Sequence, residues 1–237
     1  MGNSAGVTDV TILSGTGRYS DPWHPFAATS SAIADIVAAM GLDVAVRGTG
    51  SPEALIPDES RLVIVNTGKG EEPPTPDPAW DEAFAALGGW IEDGGRVLAV
   101  HTAAATFPDW PAWAAIVGGS WVDGRSSHPR ISIAGFTAAP GAEDHPVLEG
   151  LPDAGGIDQA LAGHPMVLAF DERYSGLDVA PGSVPLLTHE LAGQHEVMAW
   201  SPGRRVVYDG LGHDDRSYRS TTRRRLLENE IRWLLAG

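Results

Sequence analysis

Apolar and polar positions along this chain follow two rhythms. In the first hundred residues, short apolar runs at 10–13, 44–46, 62–65 and 97–100 are separated by polar and amphipathic segments. Runs of this kind read as strands, and the 97–100 run as one fully buried in a parallel sheet. Between the first two, Ile33, Ile36, Val37 and Met40 share one helical face, with Thr29 or Ser30 placed to cap that helix and Gly41 to stop it. Ahead of the Val97 run, Asp77-Pro78 supplies an N-cap and a first-turn proline. Trp80, Phe84, Leu87 and Ile91 then keep helical spacing up to Gly94-Gly95. The alternation predicts a parallel sheet covered by helices on both faces.

The second half has short candidates at 131–134, 166–170, 184–187, 197–200 and 205–208, set among Gly/Pro/Asp-rich loops. The last two flank Ser201-Pro202-Gly203-Arg204, which predicts a hairpin. A short aromatic stretch at 107–117 has helical character. Ser220 caps a final helix carrying Leu226, Leu227, Ile231, Leu234 and Leu235, on which Arg223-Arg224-Arg225 reads as a solvated face. There is no internal repeat and no flexible linker, so residues 1–237 are expected to form one domain.

Composition narrows the function. The formal net charge of -15 argues against a nucleic-acid partner, which needs a basic face. No cysteine is present, which removes disulfides, Cys-ligated zinc and thiol catalysis. The first eight residues show neither the basic nor the apolar region of a signal peptide, and no apolar run is long enough to cross a bilayer. A cytoplasmic protein with no membrane partner is the expectation; homo-oligomerisation is left open.

In open α/β sheets, ligands bind beyond the carboxyl ends of the strands. The Val97 run ends abruptly at His101, followed by small residues, as in a turn that displays one reactive side chain above a sheet. Such a side chain, facing an open cleft, is expected to add little packing. Gly15 and Gly17 follow the first strand, where their backbone amides could approach an anion or oxyanion. The third glycine of a dinucleotide fingerprint is missing, Ser20 standing there.

Of the eight histidines, His24, His101, His128 and His213 sit where that edge could gather them. Singly, each is more simply a hydrogen-bonded structural residue; together they would indicate catalysis or a metal. His145, His164 and His195 are expected outside any such pocket. Glu172 could orient an imidazole, bind a metal or act as a base. Asp214 could fix the tautomer of His213 or cap the last segment. Trp23, Trp110, Trp113 and Trp121 read mainly as packing residues, with one or two free to line a pocket suited to sugar rings.

Several stretches, taken in order, resemble the trehalose-utilisation (ThuA-like) family. They are Leu13-Ser14-Gly15-Thr16-Gly17-Arg18-Tyr19 with Asp21-Pro22-Trp23-His24, and Val100-His101-Thr102-Ala103 with Phe107-Pro108-Asp109-Trp110. Gly118-Gly119-Ser120-Trp121, His128-Pro129, His145-Pro146-Val147, Asp171-Glu172-Arg173-Tyr174 and Leu211-Gly212-His213-Asp214 follow. Ser20 departs from the family, where a second histidine often precedes the Asp.

The resemblance implies a class I glutamine amidotransferase-like fold, a flavodoxin-like three-layer sandwich with a mainly parallel central sheet. It also implies a role in sugar catabolism with a small carbohydrate ligand. His101 stands where amidotransferases carry the nucleophilic cysteine, so glutaminase chemistry is excluded. The expected catalytic residues are His101, His213 and Glu172. Gly15, Gly17, Arg18, Tyr19, His24, His128 and Asp214 are the expected substrate contacts. A divalent metal such as zinc is one option for the same site. A non-catalytic sugar-binding or regulatory module is the alternative to an enzyme.

Overall fold

The computed structural model describes residues 8–57 and 60–237. Strands β1 (Val10–Ser14), β2 (Val44–Gly48), β3 (Leu62–Asn66) and β4 (Arg96–Val100) lie in the order β2-β1-β3-β4, all parallel. Every residue of β1 and β3 is buried, as their apolar runs require. Successive side chains point to opposite layers. Val10, Ile12, Ile64 and Leu98 meet Ile33, Ile36 and Val37 of α1 (Phe26–Ala39) and Leu226, Leu227 and Ile231 of α4 (Thr221–Ala236). On the other face, Leu13, Val63, Val65 and Val97 pack with Trp80 and Phe84 of α2 (Pro78–Glu92) and with Trp113 and Val117 of α3 (Trp113–Val117). The three layers match the expectation.

The expected predominance of parallel pairing does not hold. The short β5 (Gly119–Ser120) and β8 (Asp178–Val179) form a separate antiparallel pair. The main sheet continues through β11 (Val206–Asp209), β10 (Gln194–Gly203), β9 (Val184–Leu191), β6 (Ser132–Ala138) and β7 (Met166–Asp171). β11 is parallel to β4, and every pairing beyond it is antiparallel. The sheet is therefore mixed. The reason is connection length. Only Arg204 and Arg205 separate β10 from β11, and only Ala192 and Gly193, both at positive φ, separate β9 from β10. Links this short permit a hairpin but no parallel crossover.

The starts of α2 and α4 are locally encoded. Asp77 accepts from the Ala79 N–H with Pro78 behind it, and Ser220 accepts from the Arg223 N–H. Thr29 and Ser30, expected as caps, instead lie inside α1, which begins at Phe26. Their hydroxyls accept from Asn66 Nδ2 at 2.8 and 2.9 Å, so two good capping residues serve a buried polar contact with β3. The arginine run also divides. Arg224 and Arg225 are exposed, while Arg223 is fully buried against Asp209, with Nη2 2.6 Å from Oδ2.

Candidate functional site

His101 follows β4 directly, at φ 52°, and opens a single 3-10 turn that runs to Ala104. A left-handed conformation is uncommon for a residue with a side chain and is typically held by its surroundings at functional sites. Here the Tyr208 hydroxyl donates to the His101 carbonyl at 2.9 Å. On the ring, Nδ1 lies 2.8 Å from the Gly210 carbonyl and Nε2 lies 2.8 Å from the Tyr174 hydroxyl. A carbonyl can only accept, so Nδ1 carries the proton and Nε2 presents its lone pair. The residue is only 2% exposed. The expectation that it adds little to packing is therefore corrected: the elbow side chain is a buried, doubly bonded group.

Three further imidazoles reach it from separate loops. His24 lies in the loop between β1 and α1. There Asp21 Oδ1 accepts from the Trp23 and His24 N–H groups and contacts His24 Nδ1 at 2.7 Å. His213 follows β11. Ring centres of His24, His101 and His213 lie 4.9–5.4 Å apart. Glu172, just past β7, sits among them with 5% exposure. Its Oε2 is 3.6 Å from His101 Nε2, and its Oε1 is 3.4 Å from His213 Nδ1 and 3.1 Å from His128 Nδ1. Among the described residues, neither Glu172 Oε2 nor His213 Nδ1 has a hydrogen-bond partner. One nitrogen or oxygen from each of His24, His101, Glu172 and His213 lies within 4.8 Å of all the others, a spacing at which the four could hold a cation.

The electrostatics differ from ring to ring. Burial drives the His101 pKa well below the usual imidazole range, and His24 and His213 add to this against the Gly210 carbonyl. Burial would also lower His213, but the carboxylate of Glu172, with Asp171 and Asp214, outweighs it and raises the pKa. Burial would raise Asp21; its hydrogen bonds from the His24 ring and from the two backbone amides hold it below the ordinary value.

Two positioning groups carry no local signal that marks them out. Asp171 is buried and accepts from the Gly212 and His213 N–H groups, tying the His213 loop to the strand that carries Glu172. Burial pushes its pKa up to about 6, against the pull of Ser217, Arg223 and the backbone donors. Tyr174 is buried beside His101, with Trp121 edge-on to it at 5.0 Å. Both residues fall within matched motifs, which is the only trace they leave in the sequence.

The cleft above the cluster holds about 220 Å³ and is lined by Trp23, Lys69, Thr102 and Trp121 besides His24, His101 and His128. The structure thus brings together His24, His101, His128, His213 and Glu172. His145, His164 and His195 lie elsewhere: His145 packs near Trp233, His164 faces Glu143, and His195 is exposed.

Several expected contacts are not at this cleft. Tyr19 is buried in the core and donates to Asp109, while Arg18 bonds Asp109 at 2.7 Å and the Thr75 carbonyl. The neighbouring aspartate captures both side chains before they can form a rim. Gly15 abuts Phe26 and the Tyr19 carbonyl, and Gly17, at φ 55°, packs near Gly50. They are glycines for close packing and backbone shape. Asp214 forms a local pair with Arg216.

Comparison with solved structures defines the class first. A thua-like protein from Parabacteroides merdae superposes with a TM-score of 0.73 at 19% identity, covering 96% of this chain and 90% of that one. A thua-like protein from Bacteroides uniformis gives 0.69 at 18%, covering 98% and 94%. A glutamine amidotransferase from Methylobacillus flagellatus gives 0.56 at 12%, covering 98% and 96%. The fold is amidotransferase-like. The trehalose-utilisation (ThuA) family profile matches residues 9–234, so the chain belongs to that family. No curated protein matches it. Among the described residues, no helix is long and apolar enough to cross a membrane.

Proposed function

We propose that this cleft is the active site of a carbohydrate-metabolism enzyme that moves protons on a sugar or keto-sugar derivative. The observation that carries the reading is the Glu172 carboxylate, almost fully buried and held 3.1–3.6 Å from nitrogens of three imidazoles at the floor of an open cleft. Proton abstraction beside a carbonyl needs a base within reach and a donor for the enolate oxygen. Glu172 and the imidazoles of His101 and His213 supply groups of both kinds. The trehalose-utilisation family supplies the substrate class. Glutaminase chemistry is ruled out by the chain itself, which has no cysteine and places His101 at the elbow.

The cleft is small beside the roughly 300–1,000 Å³ of drug-sized sites, a size suited to one sugar ring. Aromatic faces at Trp23 and Trp121 suit the apolar face of such a ring. Those same faces favour the second reading, a sugar-binding module without turnover.

The test is turnover on a panel of sugars and 3-keto-sugars by wild type, His101→Ala and Glu172→Gln. The enzyme reading expects turnover by the wild type and its loss in both variants. Ligand-induced stabilisation of the wild type without turnover on any member would replace it with the binding module.

A further inference from the structure

Glu172 Oε2 and His213 Nδ1 are buried polar atoms with no hydrogen-bond partner among the described residues. Native proteins rarely leave such atoms unpaired without an ion, a water or a function there. Their surroundings have the form of a coordination shell. A tetrahedral zinc with ligands at about 2.0–2.1 Å sets its ligand atoms roughly 3.3–3.4 Å apart. His213 Nδ1 is 3.4 Å from one oxygen of Glu172 and His101 Nε2 is 3.6 Å from the other, and one ligand atom from each of His24, His101, Glu172 and His213 lies within 4.8 Å of the rest.

The outer contacts agree. His24 Nδ1 is paired with the Asp21 carboxylate and His101 Nδ1 with the Gly210 carbonyl. Metal-binding histidines typically use one ring nitrogen in this way, which fixes the tautomer and turns the other lone pair toward the ion. Tyr174 donates to His101 Nε2, so its hydroxyl marks the direction of that lone pair and competes with an ion for it.

We propose that His24, His101, Glu172 and His213 form a binding site for one divalent transition ion of the zinc type. Three imidazoles and one carboxylate suit zinc, cobalt(II) or nickel, whereas calcium and magnesium call for oxygen ligands throughout. An ion held here faces the cleft and can polarise a sugar oxygen as a Lewis acid. His128 stands outside the ligand set, 3.1 Å from Glu172 Oε1. The site uses the same residues as the catalytic reading: Glu172 would ligate through one carboxylate oxygen and keep the other for the proton, and the ion would replace the imidazole donor at the enolate oxygen. Uptake of the ion does not depend on turnover.

The experiment is a titration of untagged, chelator-stripped protein with Zn²⁺ and Co²⁺, followed by calorimetry and by the visible d–d bands of the cobalt form. One ion per chain is expected, with bands of nitrogen/oxygen ligation at low coordination number and no competition from millimolar Mg²⁺ or Ca²⁺. Glu172→Ala and His213→Ala should abolish stoichiometric uptake. Asp21→Asn, which removes an outer partner and no ligand, should weaken it about 10–100-fold. Circular dichroism establishes that each variant is folded. Should a ligand variant fail to fold, Asp21→Asn and the cobalt spectrum of the wild type decide the matter. No uptake by folded wild type, uptake unchanged in folded variants, or equal competition by Mg²⁺ would overturn the proposal. Stoichiometric uptake without sugar turnover would sink the catalytic reading and leave the metal site standing. Turnover by stripped protein that takes up no ion would do the reverse.

Discussion

Replacing Arg223 with methionine keeps most of the aliphatic stem and deletes the guanidinium. That group is fully buried beneath α4, 2.6 Å from Asp209 Oδ2, donating to the Leu211 carbonyl at 3.3 Å, with its centre 5.0 Å from the Tyr218 ring centre. Asp209 and Glu230 are also fully buried. Burial raises both carboxyl pKa values and Arg223 opposes the rise, so the cation holds two reluctant acids in place. Without it, the Leu211 N–H at 3.0 Å remains to Asp209 as a backbone donor. Removing one member of a buried ion pair costs about 3–5 kcal/mol. Proton uptake by Asp209 limits the damage, so the lower end, about 3 kcal/mol, is expected. In a chain of this size each kcal/mol moves the melting temperature by roughly 2–4 °C, giving a fall of about 6–12 °C. Differential scanning calorimetry at pH 7 measures it, with Arg223→Lys as the charge-conserving control. A loss below about 1 kcal/mol, the range of exposed pairs, would refute the reasoning.

Other expectations follow from the same contacts. Because the Glu230 pKa is raised well above its ordinary value, chiefly by burial and then by the Asp209 charge, folding takes up a proton there. Its stabilising effect is complete below the unfolded pKa of about 4.3 and is lost as pH rises through the folded value. Glu230→Gln should therefore flatten the fall of the urea midpoint as pH rises above the unfolded value; an unchanged slope would contradict this. His101→Ala leaves the Gly210 carbonyl and the Tyr174 hydroxyl without their ring partner, so a loss of about 1–3 kcal/mol is expected alongside lost turnover. A thermal midpoint equal to that of the wild type would mean that these two bonds contribute nothing. Trp23 is 68% exposed at the mouth of the cleft. Trp23→Ala should keep stability within about 0.5 kcal/mol while raising KM for a sugar substrate about 2–10-fold; an unchanged KM would remove it from the binding surface.

The gathering of His24, His101, His128 and His213 was legible because position along a strand decides which edge of the sheet a following residue reaches. β1, β4 and β11 are parallel, so the loops after them meet at one edge, and two of those loops carry His24 and His213. β7 delivers Glu172 to the same edge from the antiparallel half. What escaped were choices of partner across the fold. Nothing local distinguishes Arg223 from Arg224, yet only the former points at Asp209. Arg18 and Tyr19 look like cleft residues until Asp109, ninety positions away, captures them. Thr29 and Ser30 have ideal capping chemistry, but a buried Asn66 has a stronger claim on their hydroxyls. The mixed sheet was half visible in one hairpin. The Ala192-Gly193 turn, which continues the antiparallel order, carries an alanine at positive φ that local preference argues against.

The central claim is that Glu172 and its imidazoles move a proton on a sugar. Proton NMR in D₂O tests it without requiring net conversion, by following exchange at the carbon beside the carbonyl of 3-keto-sugars. The wild type is expected to exchange that hydrogen far faster than buffer alone, and Glu172→Gln, folded and ligand-binding, to return the rate to background. Exchange at the buffer rate with wild-type protein saturated by ligand, or exchange undiminished in Glu172→Gln, would contradict it.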